Sequence, residues 1–388
     1  MNTVDFKNPY RPGAGHMPPY LAGREREHEE LDRLLEQDRI LENLVLTGLR
    51  GVGKTVLLET FKPRAVEKGW LWATADLSES ASIGEQALAE RLLADLALIT
   101  SSATVSHEVL AEVYNRTPGL TADKIKATLE FAWEHLNDRG QHRVIFAYDE
   151  AQNLSDHAGK EEFPLSVLLD VFQSIQSKGI PFMLVLAGLP TLFPKLVDAR
   201  TYAERMFRVM TLTRLSEDES REAILKPIEV AECPVTLSDD SVEVITYESA
   251  GYPYFIQFIG REVYDVFIRQ HADEEEKWVP VEAIQRKLDA DFFAGRWARI
   301  TDRQRELLWV VAHLERADEE FTILELTEKA KELLPKGFSA SNANQMLASL
   351  AEKGMIYKNR LGKYSFAVPL LGRFILRTYP ATAARNSS

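Results

Sequence analysis

Cysteine is all but missing from this sequence, Cys233 being the only one in 388 residues. No intrachain disulfide can form, and no set of thiolates is available to build a zinc or iron–sulfur site. Cys233 itself lies in AECPVTL, where a small buried filler is expected. No run of eighteen apolar residues occurs, so the sequence predicts no membrane-spanning helix. The first twenty residues hold four prolines and two glycines and lack a charged segment leading into an apolar one. That composition predicts an irregular arm packed on or beside the following domain, no secretory leader, and a cytoplasmic protein. Positive charge is also scarce. The formal net charge of −13 argues against affinity for nucleic acid over the whole surface. The deficit is uneven, because residues 299–388 carry 14 Lys+Arg against 10 Asp+Glu, and residues 339–388 carry 7 against 1. One end of an acidic chain is basic.

The stretch LENLVLTGLRGVGKTVLLETF is the most informative part of the chain. It reads as a buried strand over 44–46, a glycine-rich turn, and a helix starting near Gly53. Gly48, Leu49, Arg50, Gly51, Val52, Gly53, Lys54 and Thr55 match the G-x-x-x-x-G-K-[ST] phosphate-binding pattern, with Val56 next in the helix. Glycines permit the positive φ angles that turn successive N–H groups toward a phosphate. The helix N-terminus adds its dipole and free N–H groups. Lys54 would reach the β- and γ-phosphates of ATP or the phosphates of ADP, and the Thr55 hydroxyl would take one Mg²⁺ position. About one chain in a hundred of this length would carry such an octet by chance. The competing reading is a strand-to-helix turn that binds nothing.

RVIFAYDEAQNL is the second landmark. Its continuous apolar run predicts a parallel strand buried on both faces, delivering Asp149 and Glu150 at its carboxyl end. Asp149 would hold Mg²⁺, usually through water, and Glu150 would polarise the water that attacks the γ-phosphate. Further strands are expected in WLWATADLS, PFMLVLAGLP and FRVMTLTRLS, and helices in LAGREREHEELDRLLEQ, through residues 82–138, and in LSVLLDVFQSIQSKG. His107, His135 and His142 stand apart on helices or their ends and read as ordinary surface histidines.

Alternating strands and helices predict an α/β fold, a doubly wound parallel-sheet P-loop NTPase. The expected organisation is an irregular arm over 1–20, the nucleotide-binding core over 21–216, a four-helix lid over 217–298, a winged-helix domain over 299–380 and a disordered tail over 381–388. The winged-helix expectation rests on three helices followed by a hairpin turning at Arg360-Leu361-Gly362. Asn342, Asn344 and Gln345 on its third helix could meet base edges of double-stranded DNA. Lys358, Arg360 and Lys363 in the wing could meet phosphates. Protein contact is the alternative use of such a module.

The order AGRERE, GLRGVGKT, FAYDEAQ, AGLP, AERMF, GYPYFIQ and a terminal winged helix resembles the AAA+ superfamily, and is similar to archaeal origin-recognition initiators and to STAND and archaeal-type ATPases. The resemblance implies contacts to adenine near Arg24, an arginine finger at Arg205 acting within one subunit or across to the next in a self-assembly, and a lid motif in which Pro253 packs against nucleotide. Pairing with Glu204 or Asp198 is the plainer role for Arg205. The chain departs from the pattern in two places. Its fourth strand ends in AGLP rather than in a polar sensor, leaving Thr191 as the first polar residue, and Tyr254 stands where a lid arginine is usual, with Arg261 further along. Three functions fit: a slowly hydrolysing ATP switch engaging DNA, a signalling ATPase held as a closed monomer by ADP, and a nucleotide-binding scaffold without turnover. Glu150 speaks against the third.

Overall fold

A computed structural model of the chain describes residues 7–13, 15–77, 84–100, 105–140, 143–272, 278–360 and 362–379. The 381–388 tail, His142, Leu361 and the side chain of Arg360 lie outside the described residues. The chain forms two compact units. One comprises Arg24–Gly48 and Gly53–Leu212, and the other Met1–Gly23, Leu49–Val52 and Thr213–Ser388.

The first unit is built on a five-stranded parallel sheet. Its strands are β1 (Asn43–Thr47), β2 (Leu71–Asp76), β3 (Val144–Asp149), β4 (Phe182–Gly188) and β5 (Phe207–Thr211), in the spatial order β2-β3-β4-β1-β5. β1, β3 and β4 are buried along their whole length, as their unbroken apolar runs require of strands covered on both faces. The helices Glu25–Leu35, Lys54–Glu67, Glu85–Thr100, His107–Arg116, Thr121–Asn137 and Pro164–Ser177 flank it, giving the doubly wound P-loop NTPase fold. Phe146, Phe172 and Phe182 are fully buried, with ring centroids 5.4 and 5.7 Å apart. Burying each ring contributes about 1.5–3 kcal/mol, and the edge-on pairing a further ~1 kcal/mol. A histidine expected at a helix surface, His135, turns its Nδ1 to the Phe131 carbonyl at 2.9 Å.

The second unit begins its helical part with Glu217–Val230, Asp239–Ser249, Pro253–Ala272 and Val281–Leu288, the last running through a π-turn at Asp289–Phe293 into Ala294–Trp297. Asp302–Ala312, Ile323–Leu333 and Ala340–Glu352 follow, then an antiparallel hairpin of β6 (Ile356–Arg360) and β7 (Lys363–Phe366), to which Phe321 adds a bridge at Tyr364. A further helix, Leu371–Thr378, was not foreseen. The N-terminal arm groups with this unit. Tyr10 is 2% exposed, donates its hydroxyl to the Ile224 carbonyl at 2.6 Å, and lies so close to Gly260 that a Cβ there would stand 2.7 Å from the ring. A large aromatic needs an apolar slot, and Gly260 opens one. Cys233 is partly buried against the same core, and burial raises its thiol pKa.

One polar side chain ties the sheet's centre together. Asn43, 1% exposed at the start of β1, accepts from the Leu184 N–H of β4 at 2.8 Å and donates to the Met206 carbonyl before β5 at 3.2 Å. It also exchanges hydrogen bonds with Gln176 at 3.1 and 2.8 Å. Replacing it with leucine strands the Leu184 N–H of β4 and the Met206 carbonyl just before β5. Asn43→Leu is therefore expected to destabilise the sheet unit by roughly 2–3 kcal/mol, seen as a lowered urea midpoint with an unchanged slope.

Candidate nucleotide-binding site

The carboxyl end of β1 runs into the loop 48–53 and then the Lys54–Glu67 helix. Gly53 takes φ 96° and Gly51 φ 77°, both left-handed. Gly53 has open space where a Cβ would be, so the angle alone demands glycine. A Cβ on Gly51 would in addition meet the Tyr254 Cβ at 3.0 Å, because the Tyr254 N–H donates to the Gly51 carbonyl at 3.1 Å. Gly48 N–H donates to the Gly188 carbonyl of β4 at 3.3 Å, pinning the loop's first residue to the sheet edge. Val52 is buried, Leu49 and Val56 half-buried, and Arg50 exposed.

Lys54 is 9% exposed, and its Nζ donates to the Gly48 carbonyl at 2.9 Å, so the ammonium is folded back over the loop that a phosphate would enter. The Thr55 hydroxyl donates to Asp149 Oδ2 at 2.5 Å. Asp149 is 4% exposed, and its other oxygen accepts from the Glu150 N–H at 2.7 Å. Thr55, Lys54, Asp149 and Glu150 thus come together at one edge of the sheet. Among the described residues no three His, Cys, Asp or Glu side chains cluster as metal ligands. One hydroxyl and one carboxylate are instead a hard oxygen donor set of the kind that fits Mg²⁺.

β3 is held firmly beneath these groups. Tyr148, just before Asp149, donates its hydroxyl to the buried Asp95 at 2.8 Å, and Arg91 Nε donates to the same carboxylate at 3.1 Å. Burial first, and the Asp95 charge second, push the Tyr148 phenol well up. Glu150 is exposed and takes φ 51° as the chain turns out of the strand into the short helical turn Ala151–Asn153.

Sequence reasoning assigned no role to Gln152, although it lies in the DEAQ run. Its Nε2 donates to Glu150 Oε2, while its Oε1 accepts from the Leu189 N–H at 3.0 Å. Lys195 Nζ donates to its carbonyl at 2.6 Å, and burial lowers the Lys195 pKa. Its spacing of two from Glu150 was the only sequence signal.

The other expected residues are scattered. Arg24 is 5% exposed and meets Glu27 at 3.5 Å. Arg205 is exposed in the short helix Ala203–Met206 and forms no ion pair among the described residues, so the pairing with Glu204 or Asp198 is absent. Pro253 opens the Pro253–Ala272 helix two residues after Gly251, which takes φ 75°. Arg261 is exposed on that helix, and Thr191 precedes the Leu192–Ala199 helix. In the C-terminal region Asn342, Asn344, Gln345 and Lys358 are exposed, and Lys363 is half-buried. Asn344 accepts from the Tyr364 hydroxyl at 3.0 Å, so part of its capacity serves the local fold.

Residues 20–197 match the family model described as an AAA ATPase domain, and residues 290–375 match one described as a domain of unknown function. Among the curated proteins nothing matches. In fold the chain is similar to the Walker-type ATPase of Pyrococcus abyssi, with 17% identity, TM-score 0.60, and coverage of 92% of this chain and 96% of that one. It is also similar to the ORC2 protein of Aeropyrum pernix in its ADP form, with 15% identity, TM-score 0.56, and coverage of 95% and 97%.

The two loop glycines separate strain from clash. Gly53→Ala is expected to cost about 1–2 kcal/mol of stability through backbone strain alone, and Gly51→Ala more than that, as read by thermal unfolding of each variant. Residues 20–197, which hold the glycine-rich pattern, Asp149 and Glu150, thus match the AAA ATPase domain model, and the chain shares its fold with the Walker-type ATPase of Pyrococcus abyssi and the ORC2 protein of Aeropyrum pernix.

Proposed function

We propose that the protein is a switch ATPase that binds ATP with Mg²⁺, hydrolyses it slowly, and couples its nucleotide state to engagement of double-stranded DNA through a winged helix over 299–380. The observation that carries the ATPase part is the Thr55 hydroxyl meeting Asp149 at 2.5 Å beside Glu150. Thr55 and Asp149 would hold Mg²⁺, which would supply positive charge against that developing on the phosphates. Lys54 would exchange the Gly48 carbonyl for phosphate oxygens. Glu150, exposed at the strand end, would take the proton of the attacking water. Arg205, exposed and without an ion pair among the described residues, would serve as the finger that meets the γ-phosphate, within its own chain or in a neighbouring copy.

The DNA part is supported by the order of three helices and a hairpin, with Asn342, Gln345 and Lys358 on the surface. A second reading is favoured by the start of the Pro253–Ala272 helix, whose Tyr254 N–H donates to the Gly51 carbonyl of the glycine-rich loop. A lid so tied to the loop suits a signalling ATPase whose C-terminal region contacts protein and whose ADP form is a closed monomer.

Glu150→Gln is expected to retain ATP within a few-fold of wild-type affinity while turnover falls at least a hundredfold, and Lys54→Ala to lose both, measured by nucleotide titration and phosphate release. Equal turnover in Glu150→Gln would remove that residue from its role. For DNA, three wing cations predict a slope of log K against log salt of about −3. Neutralising Lys358, Arg360 and Lys363 together should flatten it. Unchanged DNA retention in that variant favours the signalling reading.

A further inference from the structure

The end of β4 holds Ala187, Gly188 and Leu189 and offers no polar side chain of its own. Another residue's amide occupies that place. Gln152 reaches from the turn after β3 to the Leu189 N–H at 3.0 Å and at the same time donates to Glu150 Oε2. Its backbone is fixed separately, by Lys195 Nζ at 2.6 Å on its carbonyl and by its place in the turn Ala151–Asn153. Gly188 is the residue that admits the amide. A Cβ there would stand 2.6 Å from Gln152 Oε1 and 3.3 Å from its backbone nitrogen.

We infer that Gln152 is a positioning residue that sets the Glu150 carboxylate for water activation by anchoring it to the end of β4. The inference rests on the ATPase reading and deepens it. Glu150 is exposed and stands at the first residue past the strand, so its three side-chain torsions would otherwise be free to wander. A glutamine amide serves both sides at any working pH. Its oxygen accepts from a backbone N–H and its nitrogen donates to a carboxylate, so the β4 end is tied rigidly to the base. The missing polar residue of AGLP and the glutamine of DEAQ then have one explanation. Gly188 gives up its side chain so that Gln152 can supply the polar group.

The choice of variant separates the two ends of the amide. Gln152→Glu keeps an acceptor for Leu189 but replaces the donor facing Glu150 with a second carboxylate. Gln152→Met keeps the volume and loses both hydrogen bonds. Gly188→Ala leaves Gln152 in the sequence but displaces it. Wild type, the three variants and Glu150→Gln are compared for steady-state ATP turnover, ATP affinity and thermal midpoint. Gln152→Met and Gly188→Ala are expected to lose tenfold to a hundredfold in kcat, with ATP affinity within threefold of wild type. Combining Gln152→Met with Glu150→Gln is expected to lose no more than Glu150→Gln alone, because the glutamine acts through the glutamate.

A pH series supplies a readout that simple loss of packing does not move. The carboxyl introduced by Gln152→Glu becomes a donor once protonated, so its deficit relative to wild type should shrink as pH falls toward about 5. Wild-type kcat in Gln152→Met, a loss of ATP affinity matching the loss of kcat, or a pH-independent deficit in Gln152→Glu would each overturn the proposal while wild-type turnover stands. A wild-type chain that hydrolyses no ATP would instead remove the ATPase reading, and this inference with it.

Discussion

The hydroxyl of Thr55 sits in the first turn of the helix that follows β1, and the carboxylate of Asp149 ends β3, and these two strands are not neighbours. β4 separates β1 from β3, so the two strand axes stand about 10 Å apart. The contact of hydroxyl and carboxylate at 2.5 Å is made from the first turn of the helix that follows β1. Everything else at the site serves that convergence. Gly48 binds the loop to Gly188, Asn43 registers β1 against β4 at the other end of the strand, and the Tyr148–Asp95–Arg91 network holds β3. A parallel sheet puts all these carboxyl ends on one edge, which is where a phosphate and its metal ion are met.

The basic end of the chain is less available to a partner than its composition suggests. Arg303 lies 3.9 Å over the Phe338 ring and donates to the Gly337 carbonyl at 3.0 Å. Lys353 donates to Gln304 at 2.9 Å, Arg373 to the Tyr247 carbonyl at 2.7 Å, and Arg377 meets Asp289 at 2.5 Å. These cations hold their own unit together. In the hairpin Lys358 is exposed and Lys363 half-buried. So few cations in the hairpin are the physical reason that DNA contact and protein contact compete as readings of this region.

The chemistry of the sheet edge was legible because it constrains residue type at fixed spacing. Only glycine takes the angles at Gly51 and Gly53, and a buried parallel strand such as β3 must be apolar until its end, where Asp149 and Glu150 stand out. The sheet and most of the long helices follow from the same periodicities. The illegible parts depend on partners far away in sequence. Gln152 is an ordinary residue until Leu189 is brought beside it. The prolines of the N-terminal arm carry no periodicity, and only the fold tells that Tyr10 is gripped by Gly260 and Ile224. The helices Ala203–Met206 and Leu371–Thr378 are too short for a pattern to declare them.

The most direct test of the convergence is ATP binding with and without Mg²⁺ in wild type and in Thr55→Val, followed by calorimetric titration. Valine keeps the shape of threonine and removes only the hydroxyl. Mg²⁺ should strengthen ATP binding by wild type, and Thr55→Val should lose most of that gain while binding metal-free ATP as wild type does. A gain from Mg²⁺ that survives in Thr55→Val would contradict the account, because the metal would then be held by groups other than the pair on which the site is built.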